Sequence, residues 1–145
     1  MGFVVMNKLQ KQLMRDEGFV SYVYTDSLGY LTLGIGRMVD SRRGGGISED
    51  EAMYLLNNDI ANRVEALRLA IPWINDLDEA RTGVLINMAF QMGVNGLLGF
   101  KNALACVEIG DYDGAAAGML NSLWARQTPE RAARLAKQMK IGEWQ

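Results

Sequence analysis

Histidine is absent from this chain of 145 residues, cysteine occurs once and proline twice. Each scarcity removes a class of chemistry. Without an imidazole there is no Ser–His–Asp triad and no Cys–His dyad. The common catalytic zinc sites, which lean on histidine, go with it. A single thiol closes no internal disulfide and supplies no all-thiolate zinc site. Acid–base chemistry near neutral pH is left to carboxylates, lysine or tyrosine. Long apolar runs are missing too. Met1 to Met6 is apolar, but Lys8 and Lys11 follow at once, too soon for the ~7–15-residue apolar core of a secretory signal. Met6 offers an alternative start that would make the first five residues an extension. The longest uncharged stretch, residues 82–100, carries Asn87, Gln91, Asn95 and four glycines. That content reads as a buried core helix plus a turn rather than a membrane span.

Charge of either sign is modest, 15 basic side chains against 17 acidic ones. It is unevenly spread: residues 1–43 net +2, residues 44–113 net −7 and residues 114–145 net +3. Arg126, Arg131, Arg134, Lys137 and Lys140 make the last stretch basic, which suits an anionic polymer or simply a solvated helix face. The negative overall balance argues against a nucleic-acid binder. The length fits one domain of ~100–200 residues, large enough to bury ~68–70% of its unfolded surface without staples.

Residues 7–17 read as a helix, with Leu9 and Leu13 at i, i+4 and Gly18 as the residue that ends it. The period then changes. Residues 19–24 are aromatic and β-branched, Asp26-Ser27-Leu28-Gly29 is turn chemistry, and residues 30–35 are extended again, which together signal a hairpin. Gly34-Ile35-Gly36 limits bulk where something approaches the backbone. Residues 41–46, with Arg42, Arg43 and three glycines, read as a loop. Ser48-Glu49-Asp50-Glu51 is a capping box. Ala52, Leu55, Leu56, Ile60, Val64, Leu67 and Ile71 follow at helical spacing until Pro72 stops the run. Further helices fit residues 78–92, where 84–92 is apolar nearly all round, and 96–109, 112–122 and 129–140, the last with a first-turn proline. The fold class is α+β and mostly helical, with one small hairpin.

Three residues stand out chemically. Glu17 ends the first helix, where the negative pole of the macrodipole disfavours a carboxylate by ~0.3–1 kcal/mol. Asp26 lies in the hairpin turn, a favoured site for Asp in any protein. Thr32 is on the return strand, sharing a face with Tyr30 and Gly34, and strand propensity alone explains a threonine there. Together they describe two carboxyls in different environments and a hydroxyl able to hold water, which suits glycoside hydrolysis. Elsewhere, Asn87 and Gln91 at i, i+4 form either the solvent stripe of an apolar helix or a sugar-contacting one. Cys106 reads as a small buried hydrophobe. Trp73, Trp124 and Trp144 read as core more readily than as sugar platforms.

The block Asp16-Glu17-Gly18, then Tyr24-Thr25-Asp26-Ser27-Leu28-Gly29-Tyr30-Leu31-Thr32-Leu33-Gly34-Ile35-Gly36, closely resembles the active-site region of phage-type lysozymes, the T4 lysozyme family of glycosidases (glycoside hydrolase family 24). Ile47-Ser48-Glu49-Asp50-Glu51-Ala52, Leu85-Ile86-Asn87-Met88-Ala89-Phe90-Gln91-Met92-Gly93 and Gln127-Thr128-Pro129-Glu130-Arg131-Ala132 resemble the same family, in order and register. The resemblance implies a two-lobe lysozyme-like fold: a small β-containing lobe over residues 18–47, a connecting helix over 48–70, and a helical lobe of 71–145 plus the N-terminal helix. It implies cleavage of the β-1,4 bond between N-acetylmuramic acid and N-acetylglucosamine in peptidoglycan, usually with inversion. Glu17 matches the general acid, Asp26 the second carboxylate and Thr32 the threonine that helps position water. Asn87, Gln91, Leu31, Phe100 and Arg131 match substrate-binding positions, Arg131 near the catalytic glutamate.

The chain departs from the family pattern in two places. Arg37 stands where a histidine is common, so the usual histidine–aspartate pair is replaced by whatever acid Arg37 finds. Only eleven residues, 37–47, lead to the cap of the long helix, which trims the small lobe. The resemblance implies an endolysin for host lysis, monomeric, with no metal or cofactor. It would accumulate in the host cytoplasm and reach the wall through a separate holin that permeabilises the membrane. The rival readings are a lytic transglycosylase, which uses one acid/base glutamate and no water-positioning pair, and a non-catalytic wall-binding module.

Overall fold

The structure, a computed structural model, describes residues 8–39 and 45–145. The readings placed on Met6, Arg42 and Arg43, and on the side chains of Leu9 and Leu13, lie outside the described residues. The chain is mostly helical α+β and divides into two compact units, one ending at Tyr54 and the other Leu55–Gln145.

The first unit opens with α1, Lys8–Glu17. Gly18 ends it in the left-handed region at φ 72°, and its N–H donates back to Met14 O at 2.9 Å. β1 (Val20–Thr25), β2 (Leu31–Gly34) and β3 (Arg37–Met38) form an antiparallel sheet in the order β1-β2-β3. Thr32 faces Tyr24 on β1 and Met38 on β3, so it occupies the middle strand. The hairpin is where the pattern puts it. The third strand is an addition, since two residues are too short to show a period. Gly34 and Gly36 make the β2–β3 turn at φ 69° and 68°, a conformation that favours glycine. The unit closes on the start of α2, Glu49–Ala70. Its capping box is formed: Glu51 N–H donates to Ser48 Oγ at 3.2 Å, and Ser48 N–H to Glu51 Oε1 at 3.0 Å.

The second unit starts partway along α2. The helix has the expected apolar spacing, yet only Leu67 is buried, while Tyr54, Leu55 and Ile60 are exposed. A 3₁₀ helix, Pro72–Asp76, leads into α3, Glu79–Leu98. The pattern ends this helix at residue 92, and the helix breaks there: Gly93 is non-helical (φ 80°, ψ 162°) and sets residues 79–92 apart from a short helical stretch that runs on to Leu98. α4 (Lys101–Glu108), α5 (Tyr112–Leu120), α6 (Leu123–Gln127) and α7 (Pro129–Ile141) complete the unit. α6 has only five residues, and its cap, Ser122, is what the pattern takes for the end of α5. The core gathers Leu67, Ile74, Val84, Leu85, Met88, Leu97, Met119, Leu135 and Met139. Residues 82–100 thus contribute several core side chains, and among the described residues no single helix is long and apolar enough to cross a membrane. Trp124 is core, Trp73 and Cys106 are half-buried against it, but Trp144 is 62% exposed. Trp144 lies over Gly83, where a Cβ would meet its ring.

Arg81 ties this unit together. Its Nε and Nη2 donate to Met139 O and Lys140 O at 2.6 and 3.0 Å, and its guanidinium carbon lies 3.5 Å from the Tyr112 ring centre. Nη1 donates to Asp78 Oδ2 at 3.0 Å, while Asp78 Oδ1 caps α3 by accepting from Arg81 N at 2.9 Å. Partial burial alone would raise the Asp78 carboxyl; the backbone N–H and guanidinium of Arg81 outweigh it and hold the group below its ordinary value.

Candidate active site

Glu17 is the last residue of α1 and is exposed. Its carboxyl lies against the β2–β3 turn: a Cβ built on Gly36 would come 2.7 Å from Glu17 Oε2. The Gly-Ile-Gly spacing is therefore answered by the carboxyl of Glu17 itself. At the hairpin, Asp26 Oδ1 accepts from Leu28 N at 2.9 Å and Tyr30 N at 2.8 Å. Asp26 N donates to Tyr30 O at 2.8 Å, and the Thr32 hydroxyl donates to the same carbonyl at 3.1 Å. The Tyr30 backbone thus joins Asp26 and Thr32. Thr32 is 3% exposed, buried in the middle strand. Leu31, beside it on β2, is exposed.

Arg37 finds its acid. Nη1 donates to Glu51 Oε1 at 3.0 Å, Nη2 lies 2.9 Å from Oε2, and Nη1 also reaches Gly46 O at 3.2 Å. Glu51 therefore holds β3 and the α2 cap at once. The Ser48 backbone N–H, followed by the Arg37 guanidinium, keeps its carboxyl below the ordinary value. The sequence reading gave Glu51 only its capping role; an uncompensated Arg37 facing an acidic helix start was the signal available.

In the second unit, Asn87 and Gln91 are both exposed and both engaged. Arg131 donates to Asn87 Oδ1 from Nε at 3.0 Å and from Nη2 at 2.7 Å, and to Asn87 O at 3.3 Å. Gln91 Oε1 accepts from Trp124 Nε1 at 2.9 Å. Trp124 also meets Phe100 edge to face, with ring centres 6.0 Å apart. Phe100 and Trp124 border an open concavity of about 650 Å³, with Lys101, Asn102, Asn121 and Ser122 on its walls. The Trp124–Gln91 bond went unread in the sequence, although a buried indole N–H normally requires an acceptor. Among the described residues, no three metal-ligating side chains gather at one point.

The model of the phage lysozyme family matches residues 14–139. The chain belongs to the phage lysozyme family. It is 29% identical over 164 aligned positions to a probable T4-type lysozyme 1 of Dictyostelium discoideum, covering 95% of this chain and 96% of that protein. It is 30% identical to the pre-baseplate central spike protein Gp5 of Enterobacteria phage T4, covering 88% of this chain but 26% of that protein. A peptidoglycan hydrolase gp36 of Pseudomonas phage phiKMV is 28% identical over 90% of this chain and 15% of its own length. Glu17, Asp26, Thr32 and Leu31 lie in the first unit, and Asn87, Gln91, Phe100 and Arg131 in the second.

Proposed function

We propose that this chain hydrolyses the β-1,4 bond between N-acetylmuramic acid and N-acetylglucosamine in peptidoglycan. The observation that carries the proposal is the Tyr30-centred arrangement of Asp26 and Thr32, in a unit whose Glu17 is held against Gly36. Glu17 gives its proton to the glycosidic oxygen as the bond to the anomeric carbon breaks. The Thr32 hydroxyl spends its own proton on Tyr30 O, so toward a water it acts only as an acceptor. A water donating one hydrogen to Thr32 Oγ1 and the other to the Asp26 carboxylate keeps a lone pair free for attack. Asp26 takes the proton that water loses, and the configuration inverts. The similarity to the peptidoglycan hydrolase gp36 of phage phiKMV supports peptidoglycan as substrate. In this reading the enzyme is a monomeric endolysin that collects in the host cytoplasm and is released to the wall by a holin.

Clearing of chloroform-treated Gram-negative cells tests the activity, with product analysis of the released glycan. Clearing with reducing muramic ends is expected. Anhydromuramic ends would make the chain a transglycosylase, and binding without clearing would make it a wall-binding module.

A further inference from the structure

Gly142 ends α7 in the left-handed region, at φ 70°, and the residues after it are held back against α3. Gln138 makes the anchor and is 3% exposed. Its Nε2 donates to Ala80 O at 2.7 Å, and its Oε1 accepts from Gln145 N at 3.3 Å. Beside this anchor, Trp144 sets the benzo edge of its indole against Gly83 of α3, where any side chain would collide with the ring. A glycine inside a helix costs about 0.5–1 kcal/mol relative to alanine. Here it seats an aromatic side chain that stays 62% exposed. A tryptophan that serves packing buries most of its surface, as Trp124 does at 8% exposed.

Trp144 forms one wall of a concavity of about 430 Å³, with Asn87, Leu135 and Gln145 on the others, a size that takes a small ligand. Polar atoms around it are unspent. Trp144 Nε1 makes no hydrogen bond among the described residues. Arg131 holds Asn87 by its Oδ1, which fixes the amide and leaves Nδ2 without an acceptor among the described residues. Gln145 gives its Nε2 to Glu143 O and Trp144 O and keeps Oε1.

We propose that Trp144 is a stacking platform for a sugar ring of the wall glycan, a binding site for the strand in addition to the catalytic residues of the first unit. The identity of the polymer rests on the peptidoglycan reading above. A pyranose presents a face of C–H groups that packs on an aromatic ring, and a rim of hydroxyl and acetamido groups that needs donors and acceptors. Trp144 supplies the ring; its Nε1, Asn87 Nδ2 and Gln145 Oε1 supply the rest. A lipid surface would require apolar residues beside the tryptophan, and its exposed neighbours Glu143 and Gln145 are polar.

The test titrates wall glycan strands stripped of their stem peptides into the isotope-labelled Glu17→Gln chain, in which the strand stays intact. The indole N–H resonance of Trp144, assigned by its disappearance in Trp144→Phe, is expected to shift with added strand and saturate. A resonance that stays put would overturn the proposal, with no variant at Trp144 required to fold. Trp144→Ala is expected to weaken strand binding about five- to tenfold, the weight of one aromatic contact. Trp144→Phe should recover most of that loss by keeping a ring face. A folded Trp144→Ala chain with a lowered Tm and an unchanged Kd would make the ring a structural anchor and overturn the site. A shift with anionic lipid vesicles and none with strands would overturn it too. Clearing by wild type without a response at Trp144 strikes this site and leaves the hydrolase reading standing. A response at Trp144 without clearing strikes the hydrolase reading and leaves the glycan site.

Discussion

Glu17 donates a proton only as an acid, so Glu17→Gln is expected to abolish clearing while leaving the circular dichroism spectrum and Tm intact. General acid catalysis contributes ~10²–10⁴-fold, and more than a tenth of wild-type activity in the variant would remove Glu17 from the role. Asp26→Asn keeps a carbonyl oxygen to accept from Leu28 and Tyr30, so the turn should persist while the water loses its base. The expected result is a fall in kcat with little change in KM; a pure KM effect would contradict the assignment. Gly36→Ala attacks the same acid from behind. Its Cβ would stand 2.7 Å from Glu17 Oε2, on a backbone at φ 68°. Strain of about 1 kcal/mol and a displaced acid should lower kcat by roughly ten- to a hundredfold, measurable beside the Tm. The places of Glu17 at a helix end and Asp26 in a hairpin turn were legible because their neighbours carry a motif dense in glycine and turn residues. The burial of Thr32 was not, since it depends on a register that pairs residues across strands, and the contact of Gly36 with Glu17 was not, since it depends on how a helix end meets a turn.

Between β3 and the start of α2, one carboxylate performs two tasks. The bidentate pair of Glu51 with Arg37 is half-exposed, so its contribution to stability is modest; its larger effect is to fix where β3 meets the helix cap. The carboxyl of Glu51 is held below its ordinary value of 4.5. A depressed acid stabilises the fold above the unfolded value, and that contribution is lost as pH falls through the lower folded value. Glu51→Gln is therefore expected to lower Tm at neutral pH, with the gap to wild type narrowing as pH drops below about 4.5. A gap that stays constant from pH 7 to pH 3 would show that the charge of Glu51 is irrelevant. Helices with caps and sustained periodicity, α2 and α7 above all, were legible in the sequence. β3 and α6 were not, because two and five residues carry no period. The exposure of the first half of α2 was equally hidden, since spacing records which residues share a face and not whether anything covers it.

The whole chain is acidic by net charge, yet Arg134, Lys137 and Lys140 are exposed along α7. Lys140 lies 3.9 Å from Asp113, too loose an exposed contact to neutralise it. A carboxylate-rich wall would be drawn to this helix over distances that salt screens within ~8 Å at physiological ionic strength. Clearing of whole walls is expected to fall with salt, while cleavage of a short neutral oligosaccharide barely changes. Replacing Arg134, Lys137 and Lys140 by Gln should flatten the salt curve and leave kcat on the oligosaccharide alone. An unchanged curve would make α7 no more than a solvated face. Arg131 is excluded from that set because Asn87 holds it.

The clamp at Arg81 has a consequence for how the second unit breathes. A helix end normally frays, its last amides exchanging with solvent independently of the rest. Here the carbonyls of Met139 and Lys140 are held by a side chain from the first turn of α3, which also stacks on Tyr112 at the start of α5. Opening the last turn of α7 must release all three elements together. Hydrogen exchange should therefore find the final α7 amides and the first-turn α3 amides protected to the same degree and opening as one event. Arg81→Ala should uncouple them, with the end of α7 exchanging orders of magnitude faster while the amides around Leu85 and Met88 keep most of their protection.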